Sequence, residues 1–115
     1  MAMQSPAVHT WSQLAADTPI ALLERRRVMG ERCMISHVTL RKGCIVPSHT
    51  HANEQMVCVL SGCLRFTLES GTIDLRPGGV LHLPAEAPHA AEALEDTVVL
   101  DVFAPPSATT GIDRQ

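Results

Sequence analysis

Two histidines stand one residue apart in the stretch 47–55, at His49 and His51. Side chains alternate between the two faces of an extended chain, so both imidazoles lie on one face and could bind the same metal ion. Two histidines on an exposed surface would show the same spacing. The pair alone therefore leaves both interpretations open.

A carboxylate interrupts an apolar run late in the chain, where Asp101 lies within the stretch 98–103. With two-residue alternation, Val99, Asp101 and Phe103 share a face. If that face is turned inward, the buried carboxylate needs a partner and, near a metal, could act as a general acid or base. If the face is turned outward on an edge strand, the charge is simply solvated.

Composition limits the partners that these residues could serve. The chain of 115 residues has six His but no Tyr, two Phe and one Trp, and its net charge is −3. At 12.4 kDa it is long enough for one domain with a single core. The acidic balance and the scarcity of aromatic rings argue against nucleic acid as a partner.

The sequence also bears on location and on redox chemistry. No apolar run approaches the roughly 20 residues that span a bilayer, and the first residues lack the basic and apolar regions of a signal peptide. We therefore expect no membrane association and a cytoplasmic location. The four cysteines include no C-x-x-C pair, so they are predicted to be small apolar residues on strands.

The elements that must position these residues are short β-prone stretches separated by turn-forming residues, a pattern typical of an all-β sandwich or barrel. The predicted strands cover 26–39, 44–47, 55–60, 63–69, 72–75, 80–83, 90–93 and 97–103. Residues 20–25 could form a short helical turn. The chain divides into a loosely ordered N-terminal arm over 1–20, which packs Trp11 against the domain, a β-barrel over 21–106 and a C-terminal tail over 107–115.

The frame around the histidine pair resembles the first motif of the cupins: Gly43, five residues, His49-x-His51, three residues, Gln55, six residues and Gly62. This resemblance implies a small double-stranded β-helix, or jelly-roll barrel, with a metal inside. Gln55 stands where the motif usually has Glu, and it is the predicted ligand through its amide oxygen. The adjacent Glu54 could orient a ligand histidine or simply face solvent.

The second cupin motif fits the sequence in two registers, one ending on His82 and the other on His89. The first matches more letters but leaves only one unpartnered strand after Gly62. The second leaves room for a hairpin with its turn at residues 70–71. We therefore predict His89 as the fourth ligand and His82 as a hydrogen-bonded strand histidine.

The predicted ligand set, His49, His51, Gln55 and His89, carries no formal negative charge. A divalent ion there keeps its full charge, which favours Lewis-acid chemistry on a carbonyl, a hydroxyl or a bound water. Imidazole-rich ligation without thiolates suits Zn, Ni, Mn, Co or Fe, and the sequence does not choose among them.

The chain is similar to one branch of small cupins over most of its length, including Val59-Leu-Ser-Gly62, Pro88-His89 and Val99-Leu-Asp-Val-Phe103. That branch includes the uronate ring-opening enzymes of the KdgF type. The resemblance implies that Asp101 is catalytic and that Phe103 binds substrate. In this branch an Arg usually grips the substrate carboxylate where this chain has Ser107, and Arg32 or Arg41 could replace it.

We predict a metal-dependent isomerase or lyase that acts on a small oxygenated or sugar-acid substrate. The alternatives are an Fe(II)-dependent cupin dioxygenase and a non-catalytic cupin that binds a small molecule. By the same resemblance, we expect a homodimer in which the N-terminal strand covers a sheet edge.

Overall fold

The computed structural model describes residues 5–112, which form nine antiparallel strands and one short 3₁₀ helix, Trp11–Gln13. The strands are β1 (Leu23–Met29), β2 (Met34–Leu40), β3 (Ile45–His49), β4 (Glu54–Ser61), β5 (Leu64–Leu68), β6 (Gly71–Leu75), β7 (Val80–Leu83), β8 (His89–Ala93) and β9 (Thr97–Ala104). Within residues 5–112, no helix is long and apolar enough to cross a membrane.

The strands form two sheets, one of five strands in the order β1-β2-β9-β4-β7 and one of four in the order β3-β8-β5-β6. Alternate side chains of both sheets point between them and form a common core that includes Val57 and Val99 from the larger sheet and Phe66 and Ala91 from the smaller. The predicted all-β jelly-roll fold is confirmed.

Strand β9 lies in the middle of the larger sheet, hydrogen-bonded to β2 on one side and β4 on the other. Its alternation turns Val99, Asp101 and Phe103 toward the space between the sheets, where all three line a cavity. The outward-facing alternative for Asp101, which required an edge strand, is therefore wrong.

The predicted stretch 26–39 is in fact a hairpin of β1 and β2. Its turn at residues 30–33 is closed by the Gly30 N–H, which donates to the Cys33 carbonyl at 2.8 Å. The helical turn predicted over 20–25 is wrong as well. A turn at Leu22, with φ of 68°, leads into β1 at Leu23, because Leu23 and Arg25 alternate inward and pair with β2.

Part of the N-terminal arm packs against β1 and β2 of the larger sheet. Asp17 forms an isolated antiparallel bridge with Arg25, and Trp11 packs on His37 with ring centroids 5.4 Å apart, as predicted. Residues 1–4 of the arm and 113–115 of the tail lie outside the described residues. The boundaries at 20/21 and 106/107 remain predictions.

All four cysteines are free, but only Cys58 lies within a strand. Cys44 and Cys63 are buried just before β3 and β5, and Cys33 is exposed in the β1–β2 turn. The strand placement was wrong for these three because the residues that end a strand or enter a turn can be as well packed as those inside it.

Candidate metal centre

Three histidines converge between the sheets. His49 ends β3, His51 follows in the next loop, and His89 begins β8 as the register partner of His49. One ring nitrogen of each lies within 4.8 Å of those of the other two. The structure therefore brings together the three histidines that were predicted as metal ligands.

Backbone hydrogen bonds determine which ring nitrogen of each histidine carries the proton. Each Nδ1 lies 2.9 Å from a carbonyl oxygen two residues away, on Pro47 for His49, on Asn53 for His51 and on Ala87 for His89. A carbonyl oxygen can only accept, so each Nδ1 carries the proton and donates. This tautomer leaves the lone pair of every Nε2 for a metal ion.

Burial keeps two of these rings, those of His49 and His89, in the neutral form. Burial lowers the pKa of His89 to about 4. The hydrogen bond to the Ala87 carbonyl raises this pKa, and the nearby His49 and His51 lower it further. Burial also lowers the pKa of His49, to which the proximity of His51 adds. Neutral imidazole is the form that binds metals, so His49 and His89 need not lose a proton to bind one at neutral pH.

Gln55 enters the site from β4, in the opposite sheet. Its Nε2 donates to Asp101 Oδ1 at 3.1 Å, which turns its Oε1 toward His51 Nε2 at 3.0 Å. Both of these facing atoms are acceptors when His51 donates through Nδ1. Two acceptors at this distance are an arrangement that suits a cation between them.

A metal ion fits this arrangement. Ligand nitrogens and oxygens sit about 2 Å from Zn²⁺, so two ligands of one ion lie roughly 3 Å apart. The separation of Gln55 Oε1 and His51 Nε2 matches that value.

Asp101 lies on the wall of the cavity and keeps some accessible area there. Burial raises the pKa of its carboxyl group to about 7, and the hydrogen bond from Gln55 opposes that rise. A carboxyl group that titrates near neutral pH can both give and take a proton, which is the property of a general acid or base.

Phe103 supplies an apolar wall next to the histidines. It is buried, is the register partner of Gln55 on β4, and meets the His51 ring edge-on with centroids 5.6 Å apart. Its assignment to substrate binding remains a prediction, but the structure places it beside a predicted ligand.

Glu54 and His82 lie on the outer face of the larger sheet, where Glu54 Oε2 and His82 Nε2 are 2.6 Å apart and both side chains are about half exposed. Alternation along β4 explains this position, because Glu54 must point away from the face that carries Gln55. Neither residue joins the histidine cluster.

The arginine that lines the cavity is not one of the two candidates predicted from the sequence. Arg32 and Arg41 are exposed, whereas Arg25 on β1 lines the cavity with a nearly buried side chain. Asp17 accepts from its Nε at 2.9 Å and from its Nη2 at 3.0 Å. The alternation of Leu23 with Arg25 was a signal that could have found this residue, but it was obscured by the expected helical turn.

The cavity that these residues enclose has a volume of about 70 Å³. Besides the site residues named above, its lining includes Thr110 and Ile112, which belong to the C-terminal tail, a segment with no predicted role. Neither residue type carries a motif, so no pattern in the sequence pointed to them.

Fold and site together define the class. The family model for the cupin domain matches residues 36–103, more than half of the chain, and the chain belongs to the cupin family. A comparison with curated proteins found no match.

Solved structures give more particular likenesses. The chain is similar to KdgF from Halomonas sp., with 23% identity over 90% of this chain and 97% of that one, at a TM-score of 0.84. It is also similar to an RmlC-like cupin from Shewanella frigidimarina, with 20% identity over 91% and 96% of the two chains and a TM-score of 0.83. A deletion mutant of Bacillus subtilis oxalate decarboxylase matches with 22% identity and a TM-score of 0.82. There the match covers 96% of this chain but 32% of the longer enzyme.

Proposed function

We propose that this cupin binds one divalent metal ion through His49, His51, Gln55 and His89. The observation that carries the proposal is the pair of facing acceptors, Gln55 Oε1 and His51 Nε2 at 3.0 Å, beside two further Nε2 lone pairs. Zn, Ni, Mn, Co and Fe all suit the donor set. Among the similar proteins, Bacillus subtilis oxalate decarboxylase has Mn(II) centres.

We further propose that the protein is an enzyme of the isomerase or lyase type, acting on a small oxygenated or sugar-acid substrate. A bound divalent ion would supply Lewis acidity toward a substrate oxygen. Asp101 holds or accepts the proton that moves, because its carboxyl group lines the cavity and titrates near neutral pH. The likeness to KdgF supports a uronate ring-opening reaction as the first to assay.

The wall of the cavity carries one arginine. Among the described residues that line the cavity, Arg25 is the only Arg or Lys. Asp17 holds its guanidinium in place with two hydrogen bonds. Because Asp17 balances the charge of this guanidinium, the pair makes the wall polar but adds little net charge. Phe103 packs the apolar side of the same space.

The metal is tested by elemental analysis of the purified protein. We expect about one equivalent of a divalent metal in the wild type, none in His89→Ala, and an unchanged amount in the matched variant His82→Ala, whose histidine lies on the outer face. Wild-type protein that binds no divalent metal, or a His82→Ala variant that loses it, would contradict the proposed site.

The reaction is tested on an unsaturated monouronate, with Asp101→Asn as the variant. We expect turnover by the metal-loaded wild type, no oxygen consumption, and a loss of about 100-fold or more in kcat for Asp101→Asn. Oxygen consumption with Fe(II) would instead indicate a dioxygenase. Ligand binding that is unchanged in Asp101→Asn, without any turnover in either protein, would indicate a binding protein. A cytoplasmic location stays a prediction.

A further inference from the structure

The described residues that follow β9, 105–112, reach the histidine cluster, where Gly111 meets His49. We propose that its residues Thr110, Gly111 and Ile112 form a closing segment over the metal cavity that restricts which ligands reach the ion. The inference rests on the proposed metal site and adds to it a part of the chain that no cupin motif includes.

The path of the tail is tied to the barrel at two points before it reaches the cavity. Asn53 Nδ2 donates to the Pro105 carbonyl at 2.5 Å, next to His51, and Arg27 Nη1 donates to the Ala108 carbonyl at 2.8 Å. These bonds hold the chain after β9 along the side of the barrel that carries the histidines.

Gly111 is the point of closest approach. A Cβ built on it would lie 2.4 Å from His49 Cδ2 and 3.1 Å from the Thr50 carbonyl oxygen. Its φ of +96° is in the region that favours glycine. The backbone of the tail therefore rests directly on the ring of a predicted ligand, in a way that a side chain would prevent.

The residues on either side of Gly111 complete the cavity wall. Thr110 is 5% exposed, and both Thr110 and Ile112 line the cavity. Ile112 also packs against the core of the barrel. With the tail in this position, the cavity beside the histidines is bounded by residues from three directions: the two sheets and the closing segment.

The closing segment is attached less firmly than the strands that it covers. Residues 105–111 form no strand pairing, and the hydrogen bond from Arg27 is exposed to solvent. Segments of this kind open locally at a lower free energy than the strands around them. Opening of the closing segment is therefore the step that admits a ligand to the cavity. When the segment is closed, it limits the size of the ligand that the cavity can hold.

Two variants disturb the segment in different ways. Gly111→Ala introduces the clash with His49, and a chain ending at Thr109 removes the closing segment without adding an atom near any ligand. The matched control is Gly78→Ala, since Gly78 has a similar φ of +91° but nothing within 4 Å of the added Cβ. Thermal melting of all four proteins checks that each is folded.

The experiment measures how fast Zn²⁺ is removed from the loaded proteins by a small planar chelator, pyridine-2,6-dicarboxylate, and by the bulkier EDTA, together with the Kd for Zn²⁺. In the wild type, we expect the small chelator to act faster. In both tail variants, removal by EDTA should accelerate about tenfold or more, and the difference between chelators should narrow. Gly78→Ala should behave like the wild type.

The outcomes separate the two proposals. Equal removal rates in the wild type and in both folded tail variants would overturn the closing segment while leaving the metal site intact. Acceleration in Gly78→Ala to the same extent would also overturn it, because a general loss of stability would then explain the rates. Wild-type protein that binds no Zn²⁺ or other divalent metal would overturn the metal site and the closing segment together.

Discussion

At the level of single residues, the site depends on how one amide is oriented. Gln55 donates to Asp101 through Nε2 and presents Oε1 to His51, so Asp101 selects which end of the amide faces the histidines. The backbone carbonyls of Pro47, Asn53 and Ala87 select the ring nitrogens in the same way. The side chains of the candidate centre are thus oriented by hydrogen bonds from groups outside the proposed ligand set.

The buried carboxyl group gives a prediction for the metal-free protein. Burial raises the pKa of Asp101 from 3.8 to about 7, so between these values the folded chain holds a proton that the unfolded chain has lost. The contribution of this residue to stability is therefore fully present below pH 3.8 and is lost as the pH rises to about 7. We expect Asp101→Asn to raise the free energy of unfolding by about 2 kcal/mol more at pH 8 than at pH 5.

Urea denaturation in the presence of EDTA measures this difference. The other titratable groups that line the cavity are the same in both proteins: Arg25, His49, His51 and His89. The control is Asp74→Asn on β6, where the hydrogen bond from Arg65 lowers the pKa of the carboxyl group. An Asp101→Asn gain that is equal at the two pH values would contradict the prediction.

At the level of elements, the turn between β4 and β5 holds the register on which the site depends. Thr97, at the start of β9, is fully buried, accepts from the Cys63 N–H at 3.1 Å and donates to the Glu95 carbonyl at 2.8 Å. Gly62 lies against the same residue. This contact fixes the ends of β4 and β9, the strands that carry Gln55 and Asp101.

Gly62→Ala should therefore be more costly than an ordinary substitution at a glycine with positive φ. A Cβ on Gly62 would lie 2.3 Å from the Asp96 carbonyl oxygen, whereas one on Gly71, with φ of +125°, meets nothing within 4 Å. We expect Gly62→Ala to lose about 2 kcal/mol more stability than Gly71→Ala, from overpacking added to backbone strain. Chemical denaturation of the two variants measures this difference. Equal losses in the free energy of unfolding would show that the contact of Gly62 with residues 96–97 does not contribute to stability.

At the level of the whole molecule, the candidate centre connects the two sheets. His49 and His89 belong to the smaller sheet, and Gln55 and Asp101 belong to the larger one. A ligand that binds only the folded state stabilises it by mass action. An ion held by both sheets should therefore stabilise the barrel as a unit.

We expect saturation with Zn²⁺ at about 100 times its Kd to stabilise the protein by about 2.7 kcal/mol, and to raise Tm by roughly 10 °C. Differential scanning calorimetry measures the shift. His82→Ala should keep the full shift and His89→Ala should lose it. A shift that survives in His89→Ala would indicate that the ion binds elsewhere.

The outer face of the larger sheet gives a prediction about assembly. Met56 and Leu60 on β4 and Val80 on β7 are exposed apolar side chains on this one face. We expect a second copy of the chain to cover them, since exposed apolar side chains on one face suit a like face in a homodimer. Light scattering should give about twice 12.4 kDa for the wild type.

Leu60→Lys should shift this mass to that of a monomer. The matched control is Ile45→Lys, because Ile45 is similarly exposed but lies on β3 in the other sheet. A monomeric wild type would contradict the homodimer, and a Leu60→Lys variant that stays dimeric would place the interface on another surface.

Much of this protein was readable from local patterns. Two-residue alternation put His49 with His51 and Asp101 with Phe103, because the pleat of a strand is a property of the chain itself. The spacing of turn residues indicated an all-β fold and favoured His89 over His82. These features depend on neighbours in sequence, so the sequence alone determined them.

The tertiary structure decided the rest, because it depends on which strands pair across long separations. Alternation gives two faces but does not say which one is inside, and Asp101 points inward because the register of β9 on β2 and β4 turns its face toward the smaller sheet. The same holds for Arg25, whose strand was taken for a helical turn. Gly111 meets His49 only after the whole barrel has closed between them.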